Sequence, residues 1–256
     1  MGNTSQSETI IYWAPGHSPT NHYDFNHLYP ELKSLYEEST EKKASLTGKD
    51  NNYFLRCPAF SDLAKNTFVH RAPVDTHAVL NFSGQRANYL LESPADENKH
   101  KVKLEFKHQP TLKGHNLVVY DWSILFFSEE DSMMATLTAP YFERTASQDY
   151  GAIVPGRFDI GKWFRNMNAE FQLWEGVSEI KINANEALFY VHFETEKKIV
   201  FKRFIMSREM ERLRSSIIDV SPFRKFARLS ERYKVFEQSQ SKQRILKLIK
   251  KQLVTD

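Results

Sequence analysis

Two side chains one residue apart, His192 and Glu194, are the pair in this chain best spaced for metal chemistry. On a strand, residues i and i+2 share a face. The run HFE would therefore aim an imidazole and a carboxylate at a common point, as two members of a facial iron triad do. Such a triad is usually completed by a histidine further along the chain, and no histidine follows His192. An upstream histidine from a second sheet is the remaining source, and Asp75-Thr76-His77 offers a reversed pair. The metal reading is a non-haem iron, 2-oxoglutarate-type oxygenase with His192 and Glu194 as ligands. The simpler reading is a surface histidine and glutamate with no metal and no cofactor.

A second group is cationic and aromatic. Arg157, Lys162, Trp163 and Arg165 fall within PGRFDIGKWFR, with Trp174 and Glu175 a few residues on. Arginine beside tryptophan on a loop can stack and present planar donors to a carboxylate, a phosphate or a sugar. The alternative is structural: Trp163 and Phe164 plug the end of a sandwich, and Arg157 pairs with Asp159 or Glu170. No HExxH helix, phosphate-binding glycine loop or nucleophile elbow occurs. His17, His22 and His27 cluster near Asp24, at a spacing that suits neither strand nor helix. The single cysteine, Cys57, excludes an intrachain disulfide and reads as a small core residue or, beside Arg56, as a reactive thiol.

The elements that must position these residues are mostly strands. In FQLWEGVSEIKINANEALFYVHFE, Phe171, Leu173, Ile180 and Ile182 alternate on one face of two short strands, and Ala187, Phe189, Val191 and Phe193 repeat the spacing on a third. That pattern predicts a half-buried antiparallel sheet. Leu117 to Phe127 is the most continuously apolar run and predicts a central strand covered on both faces. Further strands are expected at Ile10–Pro15, Tyr53–Cys57, Thr67–His70, His77–Phe82 and Lys101–His108, the last with Val102, Leu104 and Phe106 inward. A short helix is expected after Pro30, a charged loop over 37–52, a helical turn capped by Ser61 or Asp62, and an exposed turn from Glu92 to Lys101.

Ten to twelve short strands without a βαβ rhythm give a mainly β fold, an antiparallel β-sandwich or jelly-roll, followed by a C-terminal α-helical extension. The expected division is an N-terminal strand, helix and loop over 1–52 packing on the core, a β-sandwich over 53–206, and a basic helical tail over 207–256. The tail carries +7 and the rest of the chain −4. Ser221 followed by Pro222 reads as a helix start. In SKQRILKLIKKQLV, Ile245, Leu248, Ile249 and Leu253 line one side, while Lys242, Arg244, Lys247, Lys250 and Lys251 crowd the other. Such a helix docks on its own sheet, joins a second copy or protein partner, or meets nucleic acid or a membrane surface. No apolar run is long enough for a transmembrane helix, and MGNTSQSE has neither the basic nor the apolar region of a signal peptide, which points to a cytoplasmic protein.

The order of FLRCPAF, KNTFV, TAPYFE, YGAIVPGRFDIGKWFR, FQLWEG and ALFYVHFET resembles a family of uncharacterised tailed-phage proteins common in marine phages. The resemblance covers about residues 53–206. It implies a phage-encoded protein in the host-cell cytoplasm or with the virion, and it brings no activity with it. The later strands are also similar in layout to cupin-like barrels, without the cupin metal histidines. The function expected is a soluble binding or assembly protein without catalysis. The iron oxygenase and a nucleic-acid or host-protein binder acting through the tail are the alternatives.

Overall fold

The computed structural model describes residues 7–16, 29–45, 57–81, 88–92, 104–107, 117–218 and 228–254. The chain builds β1 (Glu8–Pro15), α1 (Leu35–Ser45), α2 (Pro58–Lys65), β2 (Thr67–Arg71), β3 (Thr76–Asn81), β4 (Asn88–Glu92), β5 (Leu104–Lys107), β6 (Leu117–Ser128) and β7 (Met134–Thr138). Then follow α3 (Ser147–Tyr150), β8 (Gly151–Ile153), β9 (Gly156–Asp159), β10 (Asn166–Leu173), β11 (Glu179–Ile182), β12 (Ala187–Phe193) and β13 (Lys198–Arg203). Three helices, α4 (Arg208–Ile218), α5 (Leu229–Gln238) and α6 (Ser241–Lys251), close the described chain. The fold is mainly β, with the expected helical extension.

Two sheets face each other. The first has the order β13-β1-β6-β10-β8, with β5 also on β6, and the second is β2-β12-β7-β9. A small third sheet, β11-β3-β4, flanks them. Ile11, Trp13, Tyr120, Trp122, Ile124 and Phe126 from the first sheet meet Phe68, Leu137, Phe189, Val191 and Phe193 from the second in one core. The alternate residues of the first sheet, Tyr12, Ala14, Leu125 and Phe127, face outward and are covered by Met210, Phe236, Ile245 and Ile249 of the tail helices. On the far side, Leu35 of α1 and Ala64 of α2 cover Val69 and Tyr190. The order of layers is helix, sheet, sheet, helix. It explains why β1 and β6 are nearly continuous apolar runs, since both of their faces are buried.

Several expectations are corrected. The described strand pairs are antiparallel as expected, with the exception of β1–β13, which is parallel. The three strands of FQLWEGVSEIKINANEALFYVHFE do not form one sheet: β10, β11 and β12 each belong to a different one. β12 is also not half-buried, because Leu188 and Tyr190 are as buried as Phe189 and Val191. Residues 37–45 are helix rather than loop. Ser34 caps that helix: its Oγ accepts from Glu37 N–H at 3.1 Å, and the Glu37 carboxylate accepts from Ser34 N–H at 2.7 Å, a reciprocal capping box. The helix after Cys57 starts with Pro58 in its first turn and is not capped by Ser61 or Asp62. Cys57 itself is exposed, so it is not a core residue. The histidines at 17, 22 and 27, the strand segment 53–56, the turn 93–101, Val102 and the Ser221-Pro222 start lie outside the described residues.

Candidate functional site

The sandwich has two unlike sides. On one, the chain passes from β8 in the first sheet to β9 in the second through Val154 and Pro155 alone, which closes that margin. On the other, the outermost strands are β13 and β2, the latter bridged at Phe68 by Ser34. Between them opens a cleft of about 840 Å³. Its floor is apolar. Phe68 of β2 and Phe201 of β13 meet edge to face at 4.5 Å, linking the two sheets, and Phe193 lies behind them at 5.8 and 5.9 Å. Ile199, Leu32 and the half-exposed Leu63 continue this surface. The rim is polar, with Glu37, Asp62, Lys65, Lys197 and Lys198.

One end of the cleft is the crossover from β12 to β13. Asn66 anchors it, accepting from Phe193 N–H at 2.9 Å and donating its side-chain amide to Thr195 O. Lys197 reaches the Glu130 carboxylate at 2.6 Å, which holds that carboxyl below its usual range. His192 also lines the cleft. Its Nδ1 lies 3.1 Å from the Thr67 hydroxyl, and burial pushes its pKa below the ordinary imidazole value.

The backbone of β13 gives the site its second feature. Lys198 N–H donates to Ser7 O and Phe204 N–H to Trp13 O, so the even-numbered residues of β13 bond to β1. By the alternation of a parallel strand, Ile199 and Phe201 turn their N–H and C=O outward. Among the described residues nothing pairs with them. One step further along the same edge, Ile205 N–H donates to Gln252 O at 2.9 Å and Val254 N–H to Arg203 O at 3.0 Å.

Apart from His192, the residues singled out by sequence lie elsewhere. Arg157 forms a fork with Glu194, at 2.8 and 2.7 Å, and not with Asp159 or Glu170. Glu194 also accepts from the Thr136 hydroxyl at 3.2 Å, so this carboxylate already accepts three hydrogen bonds, and Arg157 keeps its pKa low. Among the described residues no three His, Cys, Asp or Glu side chains are arranged to hold a metal. His77 is paired with Glu179 at 2.7 Å. Trp163 is only 8% exposed, stacked on Phe158 at 5.6 Å and edge-on to Tyr233 of α5, with the Arg165 guanidinium over its ring at 4.8 Å. Lys162 bridges to Glu237 of α5 at 2.7 Å. The loop therefore clamps a tail helix to the sandwich, as a plug, and does not line the cleft. Trp174 stands apart and is largely exposed, its indole N–H donating to Gln148 O at 3.2 Å.

The apolar stripe of α6 is also accounted for within the chain. Ile245 and Ile249 are fully buried against the first sheet, with Leu248 and Leu253 packed beside them. Within this chain the stripe docks on its own sheet, the first of the fates expected for this helix. The acidic partner of its cations is the chain's own 129–131 turn: Lys250 reaches Glu129 at 3.0 Å, and Lys242 donates to Glu130 O at 2.5 Å. Arg244 pairs with Glu209 of α4 at 2.6 Å.

Sequence reasoning passed over the cleft because it is made by strands far apart in the chain. One local signal was present: KIVFKR has lysine at both ends of a short apolar run, which is the usual protection of an edge strand. Comparison with protein-family models, curated proteins and solved structures finds no match. Among the described residues no helix is long and apolar enough to cross a membrane.

Proposed function

We propose that this chain is a phage-encoded binding or assembly protein, and that the cleft between β2 and β13 is where it holds its partner. The observation that carries the reading is the coincidence, in one cleft, of an apolar floor, a polar rim and a strand edge that is unpaired at Ile199 and Phe201 among the described residues. Concave apolar surfaces with a few polar groups at the margin are the general form of binding sites. The groups best spaced for catalysis point the same way: Glu194 is held by Arg157, and His192 by Thr67. The partner expected is a polypeptide, since a groove beside free backbone donors and acceptors suits an extended chain.

The test is selection from a random peptide library on immobilised protein, run in parallel on Leu63→Glu. Leu63 is 42% exposed at the cleft wall, so this change alters the groove with little effect on folding. Sequences enriched on the parent protein and lost on the variant support the reading. Equal enrichment on both, or none on either, overturns it.

A further inference from the structure

We infer that β13 is the receptor strand for one class of partner: an extended peptide that adds to the first sheet, with apolar residues at alternate positions and carboxylates flanking them. The inference rests on the cleft being the binding site and specifies how the partner is held. The outward N–H groups of Ile199 and Phe201 are donors, and their C=O groups acceptors, that no strand among the described residues engages. The edge accepts such pairing, because Gln252 and Val254 already bond to it antiparallel at Ile205 and Arg203. An added strand would leave that contact intact and run along Lys198 to Lys202.

The side chains of β13 set the partner's chemistry. Ile199 and Phe201 point between the sheets and pack against the core, whereas Lys198 and Lys202 are exposed on the other face. Directly opposed residues of neighbouring strands share a face. The two peptide residues opposite Ile199 and Phe201 therefore lie over Phe68 and Leu32 in the cleft, where apolar side chains are favoured. The residues opposite Lys198 and Lys202 meet ammonium groups, where carboxylates are favoured. Lys198 has one exposed partner, Glu8 at 3.3 Å, a contact that an incoming carboxylate can share. The pattern is acid, apolar, any, apolar, acid, spanning about 17 Å at the usual rise of an antiparallel strand.

A second copy of the chain fits less well. Two β13 strands paired antiparallel about Val200 would set Lys198 of each opposite Lys202 of the other, and like charges in that position repel. The same lysines that discourage self-pairing select an acidic partner.

The experiment uses the full chain and two fluorescein-labelled peptides, Glu-Val-Thr-Val-Glu and Lys-Val-Thr-Val-Lys, each extended by Gly-Ser, with anisotropy as the readout. The acidic peptide is expected to bind at least tenfold more tightly than the basic one. Ile199→Pro removes an outward N–H that β1 does not use, a substitution an edge strand tolerates. It should weaken binding tenfold or more, and thermal melting would confirm that the variant is folded. N-methylation of both valines in the acidic peptide tests the same hydrogen bonds on the unaltered protein and should have the same effect. Lys198→Glu with Lys202→Glu should reverse the preference between the peptides.

If the acidic peptide binds equally well with N-methyl groups and to Ile199→Pro, yet is lost on Leu63→Glu, strand addition is wrong and the cleft reading stands. Failure of both peptides to bind, while library selection still yields cleft-dependent sequences, has the same meaning. A concentration-dependent dimer that Ile199→Pro converts to monomer assigns the edge to a second copy and overturns the inference.

Discussion

His70 should make this protein lose stability on mild acidification, well before its carboxylates titrate. The ring sits on β2 in the centre of the sandwich, 4% exposed, between Tyr29 at 5.9 Å and Phe189 at 4.7 Å. Its Nε2 is 2.6 Å from the Trp122 carbonyl, and since a carbonyl only accepts, Nε2 carries the proton of a neutral ring. Burial pushes the pKa down to about 4 from 6.5, against a smaller upward pull from that carbonyl. Between these two values the unfolded chain binds a proton that the folded chain refuses, so stability falls as pH falls through the window. The full effect is a gap of about 2.5 units at about 1.36 kcal/mol each, or about 3 kcal/mol, of which about 2 kcal/mol is lost between pH 7 and pH 5. Glu129, Glu130 and Glu194 have lowered pKa values, so their contributions persist through this range and fade only below the ordinary carboxylate value of 4.5. His192 is shifted in the same direction as His70, so the comparison must be with a His70 variant. His70→Phe keeps an aromatic ring among aromatic neighbours and costs about 1 kcal/mol at pH 7 for the hydrogen bond to the Trp122 carbonyl that it loses. Urea unfolding followed by tryptophan fluorescence at pH 7, 6 and 5 should show the parent protein losing about 2 kcal/mol more than His70→Phe. Parallel curves for the two proteins, or an imidazole resonance of His70 titrating near 6.5, would refute the argument.

Truncation before Ser241 should remove the cover of Tyr12 and Phe127 and lower the melting temperature steeply, because Ile245 and Ile249 are wholly buried there. Light scattering should give the intact protein the same mass at low and high salt, and a salt-sensitive oligomer that truncation dissolves would return the stripe to intermolecular use. Ser34→Ala should cost about 1 kcal/mol through loss of the capping box of α1, read from urea midpoints at unchanged slope. An undetectable change would mean that packing on β2 alone holds that helix. Elemental analysis of protein purified without chelator should show the same metal content in the parent and in His192→Ala, since Glu194 is held by Arg157. Stoichiometric iron that disappears in the variant would restore the oxygenase reading.

The types of the elements were largely legible. Alternation identified β10, β11 and β12, the longest mostly apolar run identified β6 as a strand covered twice, and helical spacing placed the tail. Where local reading failed, a stronger local signal had been passed over: the capping box at Ser34 and Glu37 shows that EESTEKKAS is helical despite its charge. The site residues fared differently. Arg157, Lys162 and Trp163 were visible as a loop of stacking and charged groups, but their partners Glu194, Glu237 and Tyr233 lie 37 to 75 positions away along the chain. By itself the sequence determined that faces had to be buried and which residues formed them. Only the tertiary structure decided what buried them. A period of two states that a strand has an inner side, yet it is silent on which strand lies beside it, so β10, β11 and β12 could follow one another in sequence and enter three different sheets. The parallel pairing of β1 with β13 joins segments about 190 residues apart, which no local pattern encodes. Among the described residues that pairing leaves the outer edge of β13 unpaired at Ile199 and Phe201, and the cleft beside Phe68 and Phe201 lies between two outermost strands that only the whole fold brings together.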